Sequence, residues 1–104
     1  MGANDRTNVI PLVLPRPVAE ELIHRLAREG QYVIEPVCVT KMRERKFTAR
    51  QVMTTIEEGH INQGPVRDEC GDWRCRMRKR VAGRDARVVL AINSMNFLYL
   101  ISVH

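Results

Sequence analysis

Four arginines stand at every second position of the segment WRCRMRKR (73–80). In a β-strand, residues two apart share a face and lie about 6.6–6.8 Å from each other. Arg74, Arg76, Arg78 and Arg80 then line one face, with Trp73, Cys75 and Met77 on the other. That step nearly matches the phosphate spacing of an extended nucleic-acid strand, and a guanidinium grips phosphate as a two-pronged donor. Like charges in a row repel, so the row is expected to receive an anionic ligand. Lys41 and Arg45, four apart on a predicted helix, form a second basic face. Packed beside the arginine strand, they would complete a groove. His104, at the end of the last predicted strand, adds a proton-transfer group that titrates near neutrality. Such a set suits RNA cleavage without a metal: the ribose 2′-OH attacks the adjacent phosphate, and the protein supplies a general base, a general acid and cations.

The charge distribution agrees. The whole chain carries +5, but residues 41–50 hold +4 and residues 74–87 hold +6, leaving −5 on the remainder. An anionic partner therefore has a defined place to go. Aromatic residues are too few for a stacking platform of the single-strand-binding type, and Trp73 is assigned to the core. Cys70 and Cys75 with His60 or His104 were the donors for a zinc site; buried structural cysteines are the commoner outcome, so no metal and no cofactor are expected. Three cysteines at irregular spacing make no disulfide framework, which points to the reducing cytoplasm. No membrane partner is expected, because no apolar run approaches the ~20 residues of a spanning helix, and no secretion signal is visible at the N-terminus.

The elements that must position these residues read as one domain over residues 1–104, with residues 1–7 expected to be disordered. NVIPLVL (8–14) reads as an edge strand or extended arm, because Pro11 lacks a backbone donor. A first helix is predicted over 16–30, with an apolar stripe of Val18, Ala19, Leu22, Ile23, Leu26 and Ala27, and with Glu20 and Glu21 toward its N-terminal dipole. QYVIEP (31–36) is a short β-like connector. A second helix runs from Pro36 to Lys46, and a third from Ala49 to about Glu58. Between these two, Thr48 and Gln51 form a capping box, with Phe47 and Val52 as its hydrophobic staple. Glycine and proline make 60–72 partly turn. Strands follow over 73–80, 86–92 and 97–104, with a turn at 81–85. The fold class is α+β: N-terminal helices packed on a C-terminal antiparallel β-meander.

Three stretches carry a family resemblance: PVAEELIHRLAREG (17–30), MRERKFTARQVMTTIEEGHI (42–61), and GDWRCRMRKRVAGRDARVVLAI (71–92) with a closing YLISVH (99–104). Together they resemble small bacterial toxin-like proteins similar to the RelE/MqsR-like superfamily of type II toxin–antitoxin systems. The resemblance spans residues 12–104. It implies a RelE-like fold, an mRNA interferase acting by metal-independent 2′-OH attack, and a cognate antitoxin protein as partner, alongside RNA and the ribosome. It places Lys41, Arg45, Arg74, Arg76, Arg78, Arg87 and His104 near the RNA. We assign His104, Lys41, Arg76 and Arg87 to catalysis, and Arg45, Arg74, Arg78 and Arg80 to RNA binding. One departure stands out: relatives often carry a histidine early in the second helix and an arginine one turn later, where this chain has Val37 and Lys41. Two other readings use the same surface, a non-catalytic nucleic-acid-binding module and a protein-interaction domain with a basic docking face.

Overall fold

The computed structural model describes residues 13–104. In chain order it comprises α1 (Arg16–Arg28), β1 (Tyr32–Ile34), α2 (Pro36–Arg45), α3 (Ala49–Glu58), β2 (His60–Arg67), β3 (Trp73–Val81), β4 (Arg84–Ile92) and β5 (Leu98–Val103). Residues 1–7 and most of the arm read at 8–14 lie outside the described residues; Val13 to Pro15 have no regular structure.

Each helix follows from local signals. Pro17 in the first turn of α1 suits a position whose N–H has no intrahelical partner. Ala19, Ile23, Leu26 and Ala27 bury one face of that helix, while Val18 is 53% exposed and falls off the expected stripe. The helix begins at Arg16, so Glu20 lies beyond its first turn and serves elsewhere. The capping box is present in both directions: Gln51 N–H donates to Thr48 Oγ1 at 3.1 Å, and Thr48 N–H donates to Gln51 Oε1 at 2.9 Å. Phe47 and Val52, the staple pair, are both buried in the core. The acidic C-terminal end of α3 receives two cations, Arg28 donating to the Glu57 carbonyl at 2.9 Å and Lys79 lying 3.8 Å from Glu58.

Among the described residues the sheet has five strands in the order β1-β5-β4-β3-β2. Strands β2 to β5 form the expected antiparallel meander, but β1 joins β5 in parallel, so the sheet is mixed. The connector read at 31–36 thus becomes an edge strand, with Tyr32 opposite Leu98. The segment 60–72, read as partly turn, divides into strand β2 over 60–67 and a turn over 68–72. β2 is the outer strand beyond β3, where Pro65 deprives no further neighbour of a ladder bond, and the register shifts around Gly64 absorb the irregularity. The β3–β4 turn is tighter than 81–85: Ala82 and Gly83 both have positive φ, a two-residue hairpin that pairs Val81 with Arg84.

The helices share one core cluster with the inward strand residues, among them Cys75, Met77, Val81, Val88, Leu90, Leu100 and Val103. α3 packs on β3 and β4, α2 on β5, and α1 on α3 and β2. Trp73 packs against this core, with the Arg67 guanidinium 5.2 Å from its ring centroid. On the opposite sheet face, among the described residues, Arg74, Arg78 and Arg80 are exposed. Among the described residues no helix is long and apolar enough to cross a membrane.

Candidate nucleic-acid interface

Alternation along β3 holds as read. Cys75, Met77 and Val81 are buried, while Arg74, Arg78 and Arg80 are exposed and Arg76 is half-buried on the other face. Cross-strand register then sets the neighbours of each arginine. The Ala82–Gly83 hairpin places Arg80 opposite Asp85, Arg78 opposite Arg87, and Arg76 opposite Val89. Glycine at 59 keeps β2 tight against β3, because a Cβ there would collide with the Thr55 carbonyl and lie 2.7 Å from the Arg78 carbonyl. His60 consequently sits opposite Arg78.

His104 extends the β4–β5 ladder. Its backbone exchanges both hydrogen bonds with Arg87, at 2.7 and 2.8 Å, so the two side chains stand on one face about 5.5 Å apart at Cα. Val88 and Val103, the neighbouring pair, point into the core. A transverse row results on the open face: His60, Arg78, Arg87 and His104, one from each of four strands. Arg45 reaches the same end from α2, its Nη1 donating to the Val103 carbonyl at 2.8 Å. Burial, then the charges of Arg87, Arg45 and Arg76, hold the His104 imidazole below its ordinary pKa. That shift favours the neutral imidazole, the form that accepts a proton.

The arginine row is not left to repel itself. Arg78 Nε donates to Asp85 Oδ1 at 2.7 Å, and Arg87 Nε lies 3.7 Å from Asp85 Oδ2. Arg76 Nε donates to Asn62 Oδ1 at 3.0 Å, and Arg74 Nη2 lies 3.8 Å from Asp68 Oδ2. Within the fold, Arg74, Arg76 and Arg78 thus find anionic or amide partners. Exposed pairs of this kind stabilise little, so their effect is to orient guanidiniums. The hydrogen bond from Arg78 is the leading reason that the Asp85 carboxyl titrates below its usual range. Arg87 Nε is buried, with no hydrogen-bond partner among the described residues.

Lys41 is placed differently. Its ammonium pairs with Glu44 on its own helix at 3.7 Å, and Arg45 alone of that pair is seen to touch the sheet, through Val103. Val37 is 51% exposed near the start of α2. His24, beside the apolar stripe of α1, is half-buried and bonded to the Gly59 carbonyl at 2.7 Å. His60 is bonded to Glu20 at 2.9 Å. Burial raises the Glu20 carboxyl, yet the bonds from His60 and the Ile61 N–H, with the charges of His60 and His24, outweigh it and leave the group below its ordinary value. The zinc donors are dispersed: Cys75 is in the core, where burial pushes its thiol up to about 12, and Cys70 is exposed in the turn after β2. Among the described residues no three His, Cys, Asp or Glu side chains form a cluster able to hold an ion.

Asp85, Asn62 and Arg84 escaped the sequence reading. Arg84 Nη1 and Nη2 donate to the Lys46 and Arg45 carbonyls at 2.6 and 2.7 Å, clasping the end of α2 to the start of β4. The signal for Asp85 was present, since a two-residue Ala-Gly hairpin implies the 80/85 and 78/87 pairs. Asn62 and Arg84 act across elements distant in sequence and had no such signal.

No curated protein and no solved structure matches the chain. A family match does exist, and it takes in every strand of the sheet and every residue of the transverse row, from position 20 to position 104. The chain belongs to the family described as a domain of unknown function, DUF4258.

Proposed function

We propose that this protein is a toxin-type endoribonuclease that cleaves single-stranded RNA at the His104 end of the transverse row. The observation that carries the reading is the pairing of His104 with Arg87 at the end of the β4–β5 ladder, with Arg45 bonded to the neighbouring Val103 carbonyl. In this scheme His104 removes the proton from a ribose 2′-hydroxyl. The 2′-oxygen attacks phosphorus and the bond to the 5′-oxygen breaks. The leaving oxygen takes a proton from water, giving a 2′,3′-cyclic phosphate and a 5′-hydroxyl. Arg87 and Arg76 face the extra negative charge of the pentacoordinate phosphorus, and such preorganised donors are the largest common source of rate enhancement. Arg74, Arg78 and Arg80 hold the flanking phosphates. Lys41 supports the field from α2 rather than touching the reacting atoms. The resemblance to RelE-like toxins, the cognate antitoxin as inhibitor and the ribosome as a site of action belong to the same proposal. Free thiols at Cys38, Cys70 and Cys75 suit a reducing cytoplasm.

The test is a defined RNA incubated with the protein, with and without chelator, alone and on translating ribosomes. Expected are cyclic-phosphate ends, loss of cleavage at a 2′-deoxy position, and a fall of about 10²–10⁴-fold in rate for His104→Ala. Intact RNA under every condition refutes cleavage. One observation favours a second reading, a binding module without catalysis. The only other histidine in the row, His60, stands three strands from His104, about 14 Å away. That is too far to protonate the leaving group. Intact RNA with steeply salt-dependent binding would establish this alternative.

A further inference from the structure

The open face carries a slot next to Arg76 that the proposed proton transfer does not use. β2 shifts register between Ile61 and Gln63 and again between Gln63 and Val66. Where the ladder is broken, a recess of about 260 Å³ opens, lined by Gln63, Gly64, Val66, Arg74, Arg76 and Val89. Val66 and Val89 give it apolar surface, and Val66 is 63% exposed although it is a large aliphatic residue. Gly64, at φ +91°, lets the β2 backbone approach β3 so closely that a Cβ would lie 2.6 Å from the Arg74 carbonyl. The guanidiniums flanking the recess are held in place, Arg76 by Asn62 and Arg74 by Asp68.

We propose that this slot receives a purine base of single-stranded RNA, from the nucleotide next to the scissile phosphate. The proposal rests on reading the Arg87–His104 end as an RNA site. Size favours one ring system, since pockets for drug-sized ligands begin near ~300 Å³. The chemistry favours a nucleobase. Apolar surface suits a π-face, and planar guanidiniums stack on such faces. Gln63, exposed at the rim, offers an amide donor and acceptor to the base edge. Position favours the adjacent nucleotide. Arg76 and Val89 lie two residues along their strands from Arg78 and Arg87, a step of about 6.6–6.8 Å. A phosphate over Arg87 and His104 thus leaves its neighbouring base over the slot. A purine fills the recess and stacks over more area than a pyrimidine.

The experiment is an NMR titration of methyl-labelled full-length protein with AMP, GMP, CMP, UMP and ribose 5-phosphate. The Val66 and Val89 methyl signals should move with AMP and GMP, at roughly tenfold lower concentration than with CMP and UMP, as stacking area dictates. Ribose 5-phosphate should leave those methyls in place while shifting signals near the arginines. Val89→Phe, which fills the slot, should abolish the purine response. Gln63→Ala, a surface change, should narrow the purine preference. Equal shifts from ribose 5-phosphate and AMP, or no movement of either valine, overturn the proposal. RNA cleaved by a protein whose valines never respond refutes the slot alone. A purine response in a protein that leaves RNA intact refutes the nuclease reading and supports the slot.

Discussion

Arg84→Met is expected to unclasp α2 from the sheet and to change the titration of a histidine on another strand. The guanidinium donates to the carbonyls of Arg45 and Lys46 and sits 3.8 Å from the Phe47 ring centroid. Those carbonyls, at a helix C-terminus, lack intrahelical donors and mark the negative end of the helix dipole. A hydrogen bond to a charged group contributes ~1.5–3 kcal/mol, toward the lower end here because both bonds face solvent. The cation–π contact adds about 0.5–1 kcal/mol at an exposed site. Methionine keeps the aliphatic stem over Phe47, so the variant isolates the guanidinium. A loss of about 2–3 kcal/mol follows. In a domain of this size each 1 kcal/mol moves Tm by roughly 4–8 °C, so the melting temperature should fall by about 8–24 °C. Arg84→Lys keeps a point charge without the two-pronged geometry and should recover less than half. Urea denaturation followed by circular dichroism measures the loss. Proton NMR of the His104 ring supplies a second readout. α2 carries Arg45, one of the charges that depress the His104 pKa, so loosening its end should raise that pKa. A loss below about 0.5 kcal/mol in Arg84→Met would refute the clasp. An unmoved His104 titration in a destabilised variant would refute its link to the site.

Three further outcomes are expected. Thr48→Ala removes one half of the capping box and should cost about 1 kcal/mol in urea titrations, whereas Arg50→Ala on the exposed side of the same helix should cost much less. The folded state binds a proton at His104 less tightly than the unfolded chain does. Stability from this residue is therefore complete above the unfolded pKa near ~6.5 and declines as pH falls toward the folded value. Wild type should lose stability relative to His104→Gln between about pH 7 and pH 5, and a constant difference would contradict this. Asp85→Asn removes the carboxylate between Arg78 and Arg87. It should lower the His104 pKa further in an NMR titration and steepen the salt dependence of RNA binding, since more uncompensated cations then face the phosphates.

The parts legible in the sequence were those written in local spacing. Thr48 and Gln51 bond across a single turn, so their identities three apart suffice to locate the start of α3. The buried Cys75, Met77 and Val81 against the outward Arg74, Arg76, Arg78 and Arg80 follow from the period of two that every strand obeys. Core residues Ile23, Leu26, Val52 and Ile56 were visible for the same reason, at helical spacing. Where local rules misled, tertiary context prevailed. Gly64 and Pro65 read as turn residues within 60–72, yet the turn begins only after Arg67, because an outer strand tolerates them. The β character of 31–36 was read locally, but its parallel pairing with β5 was not, because that partner lies more than sixty residues away in the chain.

The site itself was divided between the two levels. Sequence alone determined that a basic face exists, which residues compose it on β3, and that His104 ends the last strand. Only the tertiary structure decided that Arg87 and His104 face each other, that Arg45 rather than Lys41 reaches the sheet, and that Asp85, Asn62 and Asp68 hold the arginines. It also decided that a recess lies beside Arg76. The physical reason is range. Periodicity is a property of consecutive backbone units, whereas register between strands is set by hairpin geometry, bulges and close glycine contacts that join residues far apart in the chain. A one-residue change in register would turn His104 into the core and away from the arginine row.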